Sequence, residues 1–220
     1  MAYINFILDP RNDFIGETLA YLKLCGLSIA AAIVIGVVLG ALVSRNALLA
    51  FVAVNISGLM RAIPIIAVLL IFVPILGLGF PPSIIALIIL GIPPILLNTY
   101  TGIRGIDPAM IDAARGMGLT RRQIAARIQA PLVLPLVAAG VRTSAVQIVA
   151  TATLAAFIGG GGYGDYIVDG INVFNYTELI VGAVSVAVVA ILVEVLMSWL
   201  ENILTPAGLK VQGQIAAARA

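Results

Sequence analysis

Histidine is absent from the 220-residue chain, and cysteine occurs once, at Cys25. Together these shortages exclude histidine-based triads, the common Cys/His metal sites and any disulfide framework. Cys25 lies inside an apolar run and is read as a buried, unreactive thiol. Charge is nearly as scarce: 10% of the residues are Asp, Glu, Lys or Arg against 62% hydrophobic, with a mean hydropathy of +1.17. So little polar surface cannot cover a globule in water, and the chain is read as a membrane protein. The net charge of +2 is too small to imply a nucleic-acid partner. No basic region precedes the short apolar stretch of MAYINFILDPRNDF, so no removable signal peptide is expected.

What is present is a series of apolar runs. A bilayer-spanning helix needs about 20 mostly apolar residues, and five stretches meet that length: about 18–43, 52–78, 83–103, 131–158 and 176–203. Pro64 and Pro74 interrupt the second, and Pro93-Pro94 lie in the third, so kinks are expected in both. The fold class is therefore an all-α membrane protein, a single domain over 1–220. Five spans put the two ends on opposite sides. Arg45 sits between spans one and two, and Arg104, Arg115, Arg121, Arg122 and Arg127 between spans three and four. Lys210 and Arg219 follow span five. The alternate connections, 77–83 and 159–175, carry no basic residue, which places the N-terminus outside and the C-terminus in the cytoplasm.

The cytoplasmic connection over 107–129 is the least apolar passage. Asp107 before Pro108 is an N-cap with proline at the first helical position. A short helix should run from there to about Arg115, with Gly116 and Gly118 both able to turn the chain. Thr120 and Gln123 then form a capping box for a second short helix, and Pro131 begins span four. Ile111, Ala114 and Met117 share one face, as do Leu119, Ile124 and Ile128, so this hairpin has apolar surface to bury. It can be a linker or a docking element for a cytoplasmic partner. A DNA-binding helix-turn-helix is excluded by the flanking spans.

DAARGMG at 112–118, followed after nine residues by IQAP at 128–131, resembles the EAA signature of permease subunits of ATP-binding-cassette importers. Asp112 stands where that signature has glutamate and Ala130 where it has leucine; Ala113, Ala114, Gly118, Ile128 and Pro131 match. The stretches 61–79, 93–118, 134–144, 154–172 and 200–209 are similar to the osmoprotectant branch, whose members import glycine betaine, carnitine or choline. The resemblance implies a type I importer permease fold, paired with a second copy or a sister permease. Two ATP-binding subunits and an extracytoplasmic substrate-binding protein would complete the complex. ATP and Mg would be bound by the partner ATPase and no cofactor by this chain. The hairpin would seat on the ATPase, Asp112 giving a polar contact and Gly118 the turn.

Thr143, Gln147 and Thr151 form a polar stripe at four-residue spacing on span four. Either it lines the translocation path, with Asn98 and the intramembrane Arg61 and Arg142 as further members, or the threonines bond back to their own helix. Thr99 and Thr101, beside Asn98, are weaker candidates. The two arginines and Glu194 face either the bundle interior or the interface. GGGGYG at 159–164 lacks the Lys-Ser/Thr ending of a phosphate loop and is expected to be a flexible external turn. The few aromatics are not expected to cluster inside the spans. A quaternary ammonium cage is then missing, and substrate choice would reside in the separate binding protein. An importer for another small solute, such as methionine, and a self-sufficient channel or proton-coupled carrier using Glu194 remain the alternative readings.

Overall fold

In the computed structural model, which describes residues 2–205, the described chain is helical throughout and contains no strand. A short helix α1 (Ala2–Leu8) and a 3-10 turn lead into α2 (Phe14–Val43), which Asp13 caps by accepting from the Gly16 amide. Helices α3 (Ala47–Ala62) and α4 (Ile65–Leu76) follow, then α5 (Phe80–Arg104), α6 (Pro108–Gly116) and α7 (Arg121–Ile124). The chain continues through α8 (Ala130–Ala152), a 3-10 stretch over Thr153–Ile158, α9 (Tyr163–Asn172) and α10 (Tyr176–Leu204).

Four of the five expected spans are single long helical units, beginning or ending within a few residues of the apolar runs that define them. The second is different. Instead of one span over 52–78, α3 and α4 meet at an angle of 94°. Pro64 has no N–H and its ring forbids helical conformation at Ile63, whose ψ is 124°. By contrast, α5 runs through Pro93 and Pro94 without a break, both prolines being buried in the bundle. The C-terminal charges Lys210 and Arg219 lie outside the described residues.

The centre of the bundle is the junction of α2, α5 and α8, and it is built on small residues. Ala32, Gly36 and Gly40 recur every fourth residue on α2, and α5 lies directly on them. A β-carbon on Gly36 would fall 2.8 Å from Ile95 Cβ, and one on Gly40 would fall 2.6 Å from Thr99 Cβ. Gly91 of α5 sits at the triple contact: its β-carbon would meet Ile148 Cδ1 at 2.7 Å, Ser144 Oγ at 2.8 Å and Ala32 Cβ at 2.9 Å. Two interhelical hydrogen bonds fix the register there. Ser144 Oγ donates to the Gly91 carbonyl at 2.9 Å, and the Tyr21 hydroxyl donates to the Val149 carbonyl. Cys25 is buried in the same core, as expected.

The end of the bundle away from the hairpin is closed by the stretch expected to be a loose turn. Gly159, Gly161 and Gly162 have positive φ, so the glycine run does turn the chain, but it is packed and tied down. Gly79 N–H donates to the Ile158 carbonyl at 2.6 Å, and Gly162 N–H donates to Glu17. The ten-residue α9 then lies back across the ends of α2 and α10. The expected loop over 159–175 is thus a helix and its two turns.

Two outcomes test this packing. Gly91→Val is expected to lower the thermal midpoint in detergent by several degrees, the overpacking cost being about 1–3 kcal/mol. Gly26→Ala, where nothing lies within 4 Å, should leave the midpoint unchanged or raised. At the far end, burial first and then the charges of Glu17 and Asp169 push the Asp165 carboxyl up to about 6 from its ordinary 3.8. The folded chain then holds a proton that the unfolded chain has lost, so stability falls as pH rises from about 4 to about 6 and stays lower above. Asp165→Asn is expected to melt higher than the parent at pH 7.5 and together with it at pH 4.

Candidate functional site

Two places gather the residues singled out from the sequence: the hairpin between α5 and α8, and a groove on α8 facing α10. The hairpin forms as its local signals require. Asp107 Oδ1 accepts from the Ala109 amide at 2.8 Å, with Pro108 next in the first helical position. The turn is closed by the pair of bonds that ends a helix on a left-handed residue. Leu119 N–H donates to the Ala114 carbonyl at 3.1 Å, and Gly118 N–H donates to the Arg115 carbonyl at 2.9 Å. Gly118 is the left-handed residue, with φ 82°; Gly116, also expected to turn the chain, stays within α6. Thr120 and Gln123 cap α7 reciprocally.

Two expectations about the hairpin are corrected. α7 is not a separate short helix: it passes through a single π turn, Ala125–Gln129, directly into α8, so the second arm and span four are one helix of 38 residues with the 3-10 stretch. The reason is Pro131, which has no N–H to continue the ladder; the wide turn, with Ala130 N–H donating to the Ala125 carbonyl, accommodates it. Met117, placed by spacing on the inward face with Ala114, is 72% exposed, while Ala114 and Ile124 are buried between the arms. The outward face of α6 therefore presents Met110, Ala113 and Met117. Asp112 is also exposed, and Arg115 Nη1 donates to its Oδ1 at 3.1 Å. Ile128 is half-buried on the π turn, three residues before Pro131.

The groove on α8 is a cavity of about 500 Å³ lined by Ala139, Arg142, Thr143, Val146, Gln147, Ala150, Glu194 and Glu201. Arg142 bridges two carboxylates of α10. Its Nε donates to Glu194 Oε1 at 2.8 Å, Nη2 donates to the same oxygen, and Nη1 donates to Glu201 Oε2 at 3.2 Å. Arg142 is thus neither solitary nor snorkelling. Glu194, the acid a proton-coupled carrier would use, is its partner. Glu201 escaped the sequence reading, although Glu194 and Glu201 are seven residues apart and so share a helix face.

The rest of the expected path is only partly assembled. Thr143 and Gln147 line the groove, but the Thr143 hydroxyl donates to the Ala139 carbonyl at 3.0 Å. The Thr151 hydroxyl donates to the Gln147 carbonyl at 2.6 Å and lies outside the groove. Both threonines bond back to their own helix. Asn98 instead packs against Gly140 on the α5 side of α8, with Nδ2 donating to the Pro94 carbonyl. Thr99 is buried and Thr101 exposed. Arg61 is exposed on the last turn of α3 beside Pro93, is not among the residues lining the groove, and makes no ion pair among the described residues.

Aromatic residues do gather, but at the far end. Phe6, Phe14, Tyr21, Tyr163 and Tyr166 stack in a chain with centroid separations of 5.0–6.2 Å. The three tyrosines are buried, and their hydroxyls donate to Val149, Thr18 and Asn12. These rings fill each other's space, so they form a core and leave no open cage. Among the described residues no group of His, Cys, Asp or Glu has the arrangement of a metal site.

Residues 32–207 match the family model described as binding-protein-dependent transport system inner membrane component. The choline transport system permease protein OpuBB of Bacillus subtilis is 34% identical over 207 residues, 94% of this chain and 95% of that one. The carnitine transport permease protein OpuCD of Listeria monocytogenes is 39% identical over 176 residues, 80% of this chain and 79% of its own length. The osmoprotectant import permease protein OsmW of Salmonella typhimurium is 32% identical over 215 residues, covering 96% of this chain and all of its own. Among solved structures, an inward-facing conformation of the MetNI methionine ABC transporter superposes with a TM-score of 0.77 at 23% identity, over 88% of this chain and 96% of that chain. That likeness is one of fold.

The capping box of the hairpin has a direct test. Thr120→Ala removes the side-chain acceptor at the start of α7, a loss of about 1 kcal/mol. Amide hydrogen exchange at Gln123 and Ile124 is expected to quicken about fivefold, with α5 unchanged.

Proposed function

Since the chain belongs to the family of binding-protein-dependent transport system inner membrane components, we propose that it is one of the membrane subunits of an ATP-driven importer of osmoprotectants of the quaternary ammonium type, with choline, glycine betaine and carnitine as the candidate solutes. The observation that carries this reading is identity of 32–34% along nearly the whole chain to permeases named for these solutes. Like other members of the family, the chain is a transport component and not an enzyme. A second copy or a sister permease would complete the membrane part. Two ATPase subunits would bind the ATP and Mg, and an extracytoplasmic binding protein would deliver the solute.

The hairpin is the coupling element in this reading. Positive charge gathers at its end of the bundle, with Arg45, Arg104, Arg115, Arg121, Arg122 and Arg127, so that end faces the cytoplasm and the N-terminus lies outside. The exposed face of α6, with Met110, Ala113 and Met117, would seat in a groove of the ATPase. Ala114 and Gly118 keep the hairpin narrow and tightly turned, and Asp112 with Arg115 rims the seat. Ile128 and Pro131 lie where the second arm passes into α8. When nucleotide draws the two ATPase subunits together, each hairpin would be carried as a rigid body and α8 with it. Thr143, Gln147 and Arg142 then line the path that opens and closes. Gating of this kind needs no catalytic group in the membrane subunit.

The whole complex, reconstituted in liposomes, is expected to accumulate choline or glycine betaine only when ATP is hydrolysed. Ala113→Asp, which puts a charge into the apolar seat, should lower that uptake about tenfold or more, corresponding to about 1.4 kcal/mol of lost coupling. Uptake by this chain alone, with no nucleotide and no ATPase, would overturn the proposal in favour of a self-sufficient carrier.

A further inference from the structure

The groove on α8 carries an imbalance of charge that its role as a path does not by itself require. Among the described residues lining it, Arg142 is the one cation and Glu194 and Glu201 are both anions, a net charge of −1. Their side chains are 35%, 40% and 28% exposed, so all three present themselves to the cavity. The position is deep. At about 1.5 Å per residue, Arg142 lies roughly 16 Å along the helix from Pro131, and Glu194 roughly 15 Å from the end of α10. Charged groups at the depth of Arg142 and Glu194 are costly against hydrocarbon, so this face must look onto water or another subunit, and Glu201, about 4.5 Å from the end of α10, opens the groove toward that end. Among the described residues no aromatic ring lines the cavity, so none of them there would hold an ammonium group tightly by its π face. Attraction without tight capture is what a transit point needs, since the solute must leave as readily as it arrives.

We infer that Arg142, Glu194 and Glu201 form a charge filter in the membrane-spanning path that favours solutes of net positive charge over zwitterions bearing the same ammonium group. The inference rests on the proposed import of quaternary ammonium solutes and adds the residues that discriminate among them. The Arg142–Glu194 pair is doubly hydrogen-bonded and holds α8 to α10, whereas Glu201 makes a single bond to Arg142 and supplies the excess negative charge. A cation such as choline feels that excess directly. A zwitterion such as glycine betaine feels it only as a difference between its two ends, and its carboxylate is repelled by the same groups.

The complete complex in liposomes tests this through the ratio of choline to glycine betaine uptake, each delivered at a saturating concentration within one preparation. Partial loss of folded complex lowers both rates and leaves the ratio alone. Glu201→Gln brings the groove to neutrality and keeps the Arg142–Glu194 pair; the ratio is expected to fall about tenfold. Arg142→Gln leaves two bare carboxylates and should move the ratio the other way, while Arg142→Lys, which keeps the charge, should restore it. A ratio that stays constant in both neutral variants, or shifts in the same direction in both, overturns the charge filter and leaves the importer reading standing. Failure of the unsubstituted complex to take up any quaternary ammonium solute overturns both.

Discussion

The close approach of α5 to α2 and α8 is the constraint on which the rest of the molecule depends. In a bilayer, lipid tails are as apolar as any leucine, so helices gain little by hiding apolar surface from one another. Contact must come from tight packing and hydrogen bonds. Gly36 and Gly40 let α5 lie against the backbone of α2, and Gly91 admits Ile148 and Ser144 of α8 to the same point. With Ser144 bonded to the Gly91 carbonyl, the rotation of α8 about its axis is fixed. That rotation decides that Gly140 faces α5 while Arg142 and Thr143 face the groove.

Local signals in the sequence were sufficient where a local group satisfies a local need. The helix starts at Asp107–Pro108 and Thr120–Gln123 are written in residues two or three apart, and the structure builds both. Four of the five long apolar runs likewise became long helices. Features decided by distant partners were not legible in the same way. The backbone break at Pro64 could be foreseen, but its 94° angle depends on α4 packing against α5 and the 3-10 stretch through Leu69, Ala86 and Ile158. Four glycines looked like slack chain, yet Glu17, 145 residues earlier, holds the amide of Gly162. The aromatic residues are scattered in sequence between Phe6 and Tyr166 and meet only because α1, α2 and α9 converge. One missed signal was in plain view: Gly36-Val-Val-Leu-Gly40 has the four-residue spacing of a close helix contact.

The distribution of charge follows the same economy. Half of the twelve basic residues, Arg45, Arg104, Arg115, Arg121, Arg122 and Arg127, lie on the hairpin and its neighbouring turns, at one end of the bundle. The charges inside the bundle are few and are tied together across helices. An arginine at that depth is tolerable because two carboxylates meet it, and the carboxylates are tolerable because they open onto a cavity. The far end compensates in another way: its acids are placed at helix starts and on backbone amides, as Asp13 and Glu17 are.

The π turn at Ala125–Gln129 adds one more consequence. Because α7 continues through the π turn into α8, the hairpin and Arg142 share an angular phase set by the number of residues between them. Each residue of an α-helix advances that phase by about 100°, so inserting or removing a single residue between Ile124 and Arg142 would turn the hairpin by about that angle relative to the groove. The widened turn, with close to one residue more per turn than an α-helix, therefore helps fix the angle between the hairpin and the groove.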